Sequence, residues 1–293
     1  MLVADIKGWL NGCMRRNIRL TFVLTMGLLI ACSASKPKPS QEAQKRVVSL
    51  DPSVTSVIKA LGRDAWLVGV TKHCDIRGVS IVGDMRPRIA RIVSERPDLV
   101  VSGTYGFNAS DLAALRAANL PLLTFPATQL ADFRRAVLLL GDALDAKAPA
   151  KALVTRLDDA LARARKRQPK QAPRILLVYG ADAGYVYTSG GGDHVTELVE
   201  VVGAKNAARG GPVTKRVSLS QAVALAPEII LHVAPDARFP TETKAKAFWR
   251  HLKSIPAVRH DRVYLWPDNS LARRGAALPK TVSNLSMLVG GVE

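Results

Sequence analysis

The chain has 293 residues, 48% apolar and 23% charged, which excludes a disordered chain and leaves room for two lobes of roughly 120 residues or one large α/β domain. Lys and Arg outnumber Asp and Glu 42 to 24, a net +18, but aromatics are only 5% and no basic–aromatic motif accompanies the charge, so no nucleic-acid partner is expected. Three cysteines, Cys13, Cys32 and Cys74, exclude a disulfide-stapled scaffold and a Cys-based zinc cluster.

In chain order, the first segment reads as an address. Met14-Arg15-Arg16-Asn17-Ile18-Arg19 is basic, Leu20 to Ile30 is an apolar run of 11 residues, and Leu29-Ile30-Ala31-Cys32 matches a bacterial lipobox. Such a run is too short to span a bilayer and fits a secretory signal. Residues 1–32 are therefore expected to be a signal peptide with lipobox, cleaved so that Cys32 becomes the lipidated N-terminus; translation from Met14 would already supply a complete signal. Cleavage discards Lys7, Arg15, Arg16, Arg19 and Asp5 and leaves a net charge of +15. Residues 33–45 are polar and Pro/Ser-rich, a flexible tether. The expected location is periplasmic or extracytoplasmic, lipid-anchored to a bacterial membrane, and the body is expected to be a monomer.

From residue 46 short β-branched runs alternate with Ala/Leu-rich segments, the α/β signature. The runs predict strands at 47–50, 67–70, 99–102, 122–125, 175–179, 229–233 and 263–266. Helices are predicted at 53–61, 89–95, 109–119, 130–144, 194–202, 220–225, 244–252 and 275–288, with Trp249 in the core. Residues 149–168 break the rhythm. Leu153, Leu157, Leu161 and Ala164 form one apolar stripe, Pro149 suits a first helical turn, and the Pro-rich stretch after Gln168 stops the helix. At 1.5 Å per residue this is a rod of roughly 28 Å, able to link two lobes while limiting their relative motion. The expected architecture is an N-terminal α/β lobe (46–148), a linking helix (149–168) and a C-terminal α/β lobe (173–293). The halves echo each other: Arg96-Pro97-Asp98 and Ala226-Pro227-Glu228 each stand between a helix and a buried strand, and Gly62 and Gly203 each close an earlier helix. Two similar lobes point to a ligand cleft between them.

In such folds ligands meet the loops at the carboxyl ends of strands. Those loops hold Asp51, Pro52 and Ser53, with Ser53 able to cap the following helix, then His73, Asp84, Arg86, Tyr105, Tyr185, Arg273 and Arg274. The arginines suit carboxylates, the tyrosines suit a flat ring, and His73 and His194, from opposite lobes, are candidate metal ligands. Ser189-Gly190-Gly191-Gly192-Asp193 reads as an anion cradle or a plain turn. No nucleophile elbow, P-loop, HExxH or dinucleotide motif is present, so no enzyme and no intrinsic cofactor are expected.

Several segments together resemble the helical-backbone (class III) substrate-binding proteins of ABC importers: Arg46 to Thr55, Leu61-Gly62, Leu67 to Thr71, Cys74-Asp75, Val82-Gly83, Arg96 to Val100 and Arg262-Val263-Tyr264. The resemblance covers about residues 45–290. It implies two α/β lobes joined by one long helix, a metal chelate (ferric siderophore, haem or vitamin B12) as ligand, and an ABC permease with its ATPase as partner. It also marks departures. Asp84 stands where haem-binding members carry an iron-ligating Tyr, although Arg86 is kept, and Asp84, Thr104 and Asn269 or Ser270 stand near the B12 binders' aromatics. Ala90 and the 271–274 segment stand where members carry acids that dock on the permease. The alternative is an interaction or sensory lipoprotein of the same fold without permease docking.

Overall fold

The computed structural model describes residues 44–84, 86–103, 109–125 and 129–291. Cys32, the signal segment, most of the tether and Tyr105 lie outside the described residues. Every described element belongs to one compact unit, Ala43–Glu293.

Five strands, β1 (Val47–Ser49), β2 (Leu67–Thr71), β3 (Ser80–Gly83), β4 (Leu99–Gly103) and β5 (Leu122–Phe125), form a parallel sheet in the order β3-β2-β1-β4-β5. Helices α1 (Pro52–Ala60), α2 (Ile89–Ser94), α3 (Ala109–Ala117) and α4 (Leu130–Ala143) complete this lobe. After α5 (Lys147–Lys166) a second parallel sheet holds β6 (Arg174–Val178), β9 (Lys205–Asn206), β11 (Ile229–His232) and β12 (Val263–Leu265) in the order β12-β11-β6-β9. A small antiparallel sheet, β10-β8-β7, adds β7 (Gly180–Asp182), β8 (Tyr185–Ser189) and β10 (Thr214–Ser218). Helices α6 (His194–Val201), α7 (Leu219–Ala224), α8 (Glu242–Trp249), α9 (Pro256–Arg259) and α10 (Leu278–Gly290) belong to this half. Helices cover the parallel strands, which is why β11 and all of β6 beyond Arg174 are buried and read as unbroken apolar runs.

The linking helix starts two residues before the expected Pro149. Pro149 is tolerated because the first-turn amides have no partner inside the helix. Its stripe of Ala150, Leu153, Leu157, Ala160, Leu161 and Ala164 is buried. It packs on α4 of the first lobe and on α10 and α6 of the second. Gly141 permits the α4 contact, since a Cβ there would sit 2.4 Å from the Ala150 methyl. Arg163, Arg165 and Lys166 occupy the last turn, where cations favour the helix dipole.

The repeated Pro–acid turn has one construction in both lobes. Arg96 (φ 46°) and Ala226 (φ 44°) take left-handed backbone before the prolines. The Asp98 carboxylate then accepts the Arg46 amide at 2.8 Å, and the Glu228 carboxylate accepts the Arg174 amide at 3.0 Å. Each acid thus fixes the first amide of its neighbouring strand.

Two expectations are corrected. Residues 80–83, where no strand was predicted, form the edge strand β3, and Tyr185, expected in a ligand loop, opens β8 of the β7–β8 hairpin, turned by Gly184 at φ 75°. These strands are short, polar at their ends and interrupted by glycine. Sheet pairing stabilises them, and a single short segment shows little sign of it.

Candidate functional site

In the first sheet the chain order reverses between β1 and β4, and in the second between β6 and β11. Loops diverge at the carboxyl ends of such strands and leave a crevice. A cleft of about 370 Å³ opens there, lined by Pro52, Ser53 and Ser56 of α1, Asp75 after β2, and Asp268, Asn269, Ser270, Arg273, Gly275 and Ala277 after β12. The structure therefore brings Pro52, Ser53 and Arg273 together across the lobes.

The first-lobe wall is a capped helix start. Asp51, not Ser53, is the cap: its Oδ1 accepts the Ser53 and Val54 amides at 2.6 and 3.2 Å, because the helix begins at Pro52, one residue earlier than predicted. Its other oxygen lies over Gly103, where a Cβ would come within 2.1 Å. Asp51 is therefore occupied in holding the wall. Asp51→Ala is expected to lose about 1 kcal/mol of stability, the usual worth of a cap, read as a shift in urea midpoint at constant slope.

The second-lobe wall is pinned at several points. Trp266 Nε1 donates to Ser270 Oγ at 2.9 Å, and the Ser270 amide donates to Asp268 Oδ1 at 2.7 Å. Partial burial pushes the Asp268 carboxyl up, but the Ser270 and Trp266 hydrogen bonds and the Lys280 charge outweigh it and hold it below the usual range. His194 Nε2 donates to the Leu271 carbonyl at 2.9 Å. His194 is buried, and burial together with the nearby Arg274 depresses its pKa to about 4. Its Nε2 is committed to the loop, so His194 bolts the cleft wall. Asp193 caps α6 through Thr196 at 2.8 Å and accepts the Tyr179 hydroxyl at 2.8 Å, so the Gly-rich segment before it is a turn. Burial, then the Asp193 charge, raises the Tyr179 phenol well above its ordinary range.

Two contacts that the sequence did not signal join the lobes. The Ala276 amide donates to Ser56 Oγ at 3.0 Å, and the Glu197 carboxylate accepts the Leu130 amide at 2.8 Å, capping α4, whose own Gln129 makes no side-chain cap.

Arg273 is half-buried in the cleft wall and forms no ion pair among the described residues. The other predicted residues lie apart from this lining. His73 Nε2 meets Asp84 Oδ1 at 2.7 Å, and Asp84 also pairs with Lys72; these partners, Lys72 first, hold the Asp84 carboxyl below its usual range. Arg86 stands 4.0 Å from Asp111, Tyr185 on β8 carries the Arg216 guanidinium 4.3 Å above its ring, and Arg274 acts electrostatically on Tyr179 and His194.

The model of the family described as periplasmic binding protein matches residues 47–270, most of the chain, and ends just before Arg273. The chain belongs to the periplasmic binding protein family. It is 29% identical over 256 residues to the uncharacterized ABC transporter substrate-binding lipoprotein YvrC of Bacillus subtilis, covering 83% of this chain and 79% of that one. Among solved structures it is similar to the apo periplasmic heme-binding protein RhuT of Roseiflexus sp. RS-1, with TM-score 0.74, 22% identity, and 85% and 99% of the two chains covered. It is also similar to the periplasmic vitamin B12 binding protein BtuF of Vibrio cholerae, with TM-score 0.72, 20% identity, and 85% and 97% covered. The family is the one the sequence resembles, and the two-lobed α/β fold is the one expected. Family members are substrate-binding transport proteins that act outside the cytoplasm with a permease and an ATPase. No helix among the described residues is long and apolar enough to cross a membrane.

Proposed function

We propose that the protein is a Cys32-anchored receptor that captures an anionic iron chelate, a ferric siderophore or haem, in the inter-lobe cleft and delivers it to an ABC permease. The observation that carries this reading is Arg273. Asp75 and Asp268 line the same cleft, but a half-buried guanidinium in no ion pair among the described residues pays part of its desolvation in advance and recovers it when a ligand carboxylate, propionate or phenolate arrives. Pro52, Ser53 and Ser56 on the facing wall supply small groups that leave room for the chelate. The lipobox, and the lipoprotein named among its relatives, support the anchor.

The test is a thermal-shift screen of residues 43–293 against haemin, several ferric siderophores and cobalamin. A ligand at 100-fold over its Kd adds about 2.7 kcal/mol, a shift of several degrees. A shift with an anionic chelate supports the reading; a shift with cobalamin alone overturns the charge argument. Arg273→Gln is expected to weaken the anionic chelate by about 2 kcal/mol, roughly 30-fold, while leaving the apo melting temperature unchanged, because it removes one charged hydrogen-bonding partner.

A second reading, an interaction lipoprotein that does not dock on a permease, is favoured by exposed Ala90 and the cationic Arg273-Arg274 pair at the places where the resemblance implies acids. Stimulation of a permease's ATPase activity by the loaded protein would remove it.

A further inference from the structure

A second cavity, of about 600 Å³, lies in the C-terminal half, away from the cleft. It is lined by Lys246, Ala247 and Arg250 around the end of α8, Lys253, Val258 and Arg259 around α9, then Asp261 and Val263. Val263 opens β12, whereas the ligand cleft is built by residues that follow the carboxyl end of that strand. The two cavities are therefore at opposite ends of β12.

The charge in this region is one-sided. Between residues 242 and 262 stand six basic side chains, Lys244, Lys246, Arg250, Lys253, Arg259 and Arg262, against two acids, Glu242 and Asp261. Lys246 takes both acids, at 3.3 and 2.8 Å. Arg250, Lys253 and Arg259 are exposed and have no acidic partner among the described residues; Arg250 touches only His251, at 3.1 Å. Three cations around one cavity repel each other, and a multiply charged anion between them relieves that repulsion. The floor is aliphatic, from Ala247, Val258 and Val263, and no aromatic side chain lines it, so nothing is offered to a nucleobase. A phosphate group brings more charge and more acceptor oxygens to three cations than a single carboxylate does.

We propose that this groove is an anion site for phosphate groups, separate from the chelate cleft. Two sources share that chemistry: a soluble phosphate, and the headgroups of an anionic bilayer. The proposal stands whichever ligand fills the cleft.

The experiment uses residues 43–293, the compact unit that contains the whole described core. One arm titrates inorganic pyrophosphate by calorimetry. The other sediments the protein with vesicles of phosphatidylcholine alone or mixed with phosphatidylglycerol. Two variants lose the same charge: Arg250→Gln/Lys253→Gln/Arg259→Gln in the groove, and Lys151→Gln/Arg156→Gln/Lys170→Gln on α5 and just after it. All six side chains are exposed, so both variants are expected to keep the parent's melting temperature. Each basic side chain near an anionic surface is worth about fivefold in binding, so the groove variant should bind mixed vesicles about 100-fold more weakly, and the α5 variant as the parent does. Loss in the vesicle arm assigns a lipid headgroup, and loss in the pyrophosphate arm alone assigns a soluble phosphate. Equal losses in both variants, unchanged binding by the groove variant, or no binding in either arm would overturn the proposal.

Discussion

Lowering the pH from 7 to 4 is expected to remove about 6 kcal/mol of stability through two buried histidines, a large share of the 5–15 kcal/mol that a domain holds. His232 accepts the Trp249 indole N–H at 3.0 Å through Nε2. An indole nitrogen only donates, so this Nε2 must be unprotonated. His232 is also packed edge-on against Phe239, with ring centroids 4.3 Å apart. Burial depresses its pKa to about 4, with Asp236 only partly opposing, and His194 is depressed to about 4 as well. In the unfolded chain both titrate near 6.5, so between pH 6.5 and 4 the unfolded state binds the extra protons and stability falls with pH. Each contributes about 3 kcal/mol over that window, and below pH 4 both states are protonated and the loss stops. Asp193 acts in a separate window. Despite burial, hydrogen bonds hold its carboxyl below the usual range, so its contribution disappears only as the pH falls through that lower value. Urea midpoints between pH 7.5 and 4 measure the effect. His232→Gln keeps an acceptor for the indole and should halve the slope; a profile flat between pH 7 and 5 would contradict the burial argument.

The second large effect concerns the clasp across the cleft. Gly275→Ala is expected to cost about 3 kcal/mol, because the new Cβ would lie 2.3 Å from Ser56 Oγ. Ser56 Oγ is held on both sides, donating to the Ser53 carbonyl at 2.6 Å and accepting the Ala276 amide at 3.0 Å, so it cannot turn away without breaking a bond. With that oxygen removed, the next atoms met by the Cβ are the Ser53 carbonyl oxygen at 3.4 Å and Ser56 Cβ at 3.5 Å, ordinary contact distances. Ser56→Ala alone should cost about 1 kcal/mol for the lost hydrogen bonds, and Gly275→Ala should then add almost nothing. The double-mutant cycle should give a coupling of about 2 kcal/mol or more in favour of the pair. Additive costs would show that the two lobes do not touch at Ser56 and Gly275 in solution. Small-angle scattering on Gly275→Ala, with and without ligand, reads whether loosening this contact widens the cleft beyond what the continuous α5 allows.

Much of the fold was legible because its signals act over a few residues. The buried strands appear as runs of Val, Ile and Leu, α5 as a stripe at spacings of three and four, and the paired Pro–acid turns as local punctuation repeated in each half. The cleft was half legible. Pro52, Ser53 and Arg273 were predicted and line it, whereas His73 and Tyr185 were placed by loop position, and Asp84 and Arg86 by loop position and the family resemblance. The structure pairs them instead with Lys72, each other, Asp111 and Arg216. Loop position says which end of the sheet a residue occupies and not which neighbour its charge will meet.

The sequence by itself determined the α/β class, the helical link and the end of the sheets where the cleft opens, because apolar period, proline and glycine constrain the backbone they belong to. Only the tertiary structure decided what the individual side chains do. Asp51 became the helix cap once Pro52 opened the helix. His194 became a bolt on Leu271, 77 residues away, Glu197 capped α4 from 67 residues away, and Ser56 clasped Ala276 from 220 residues away. A hydrogen bond depends on which groups arrive within 3 Å of each other, and packing between distant segments sets that distance.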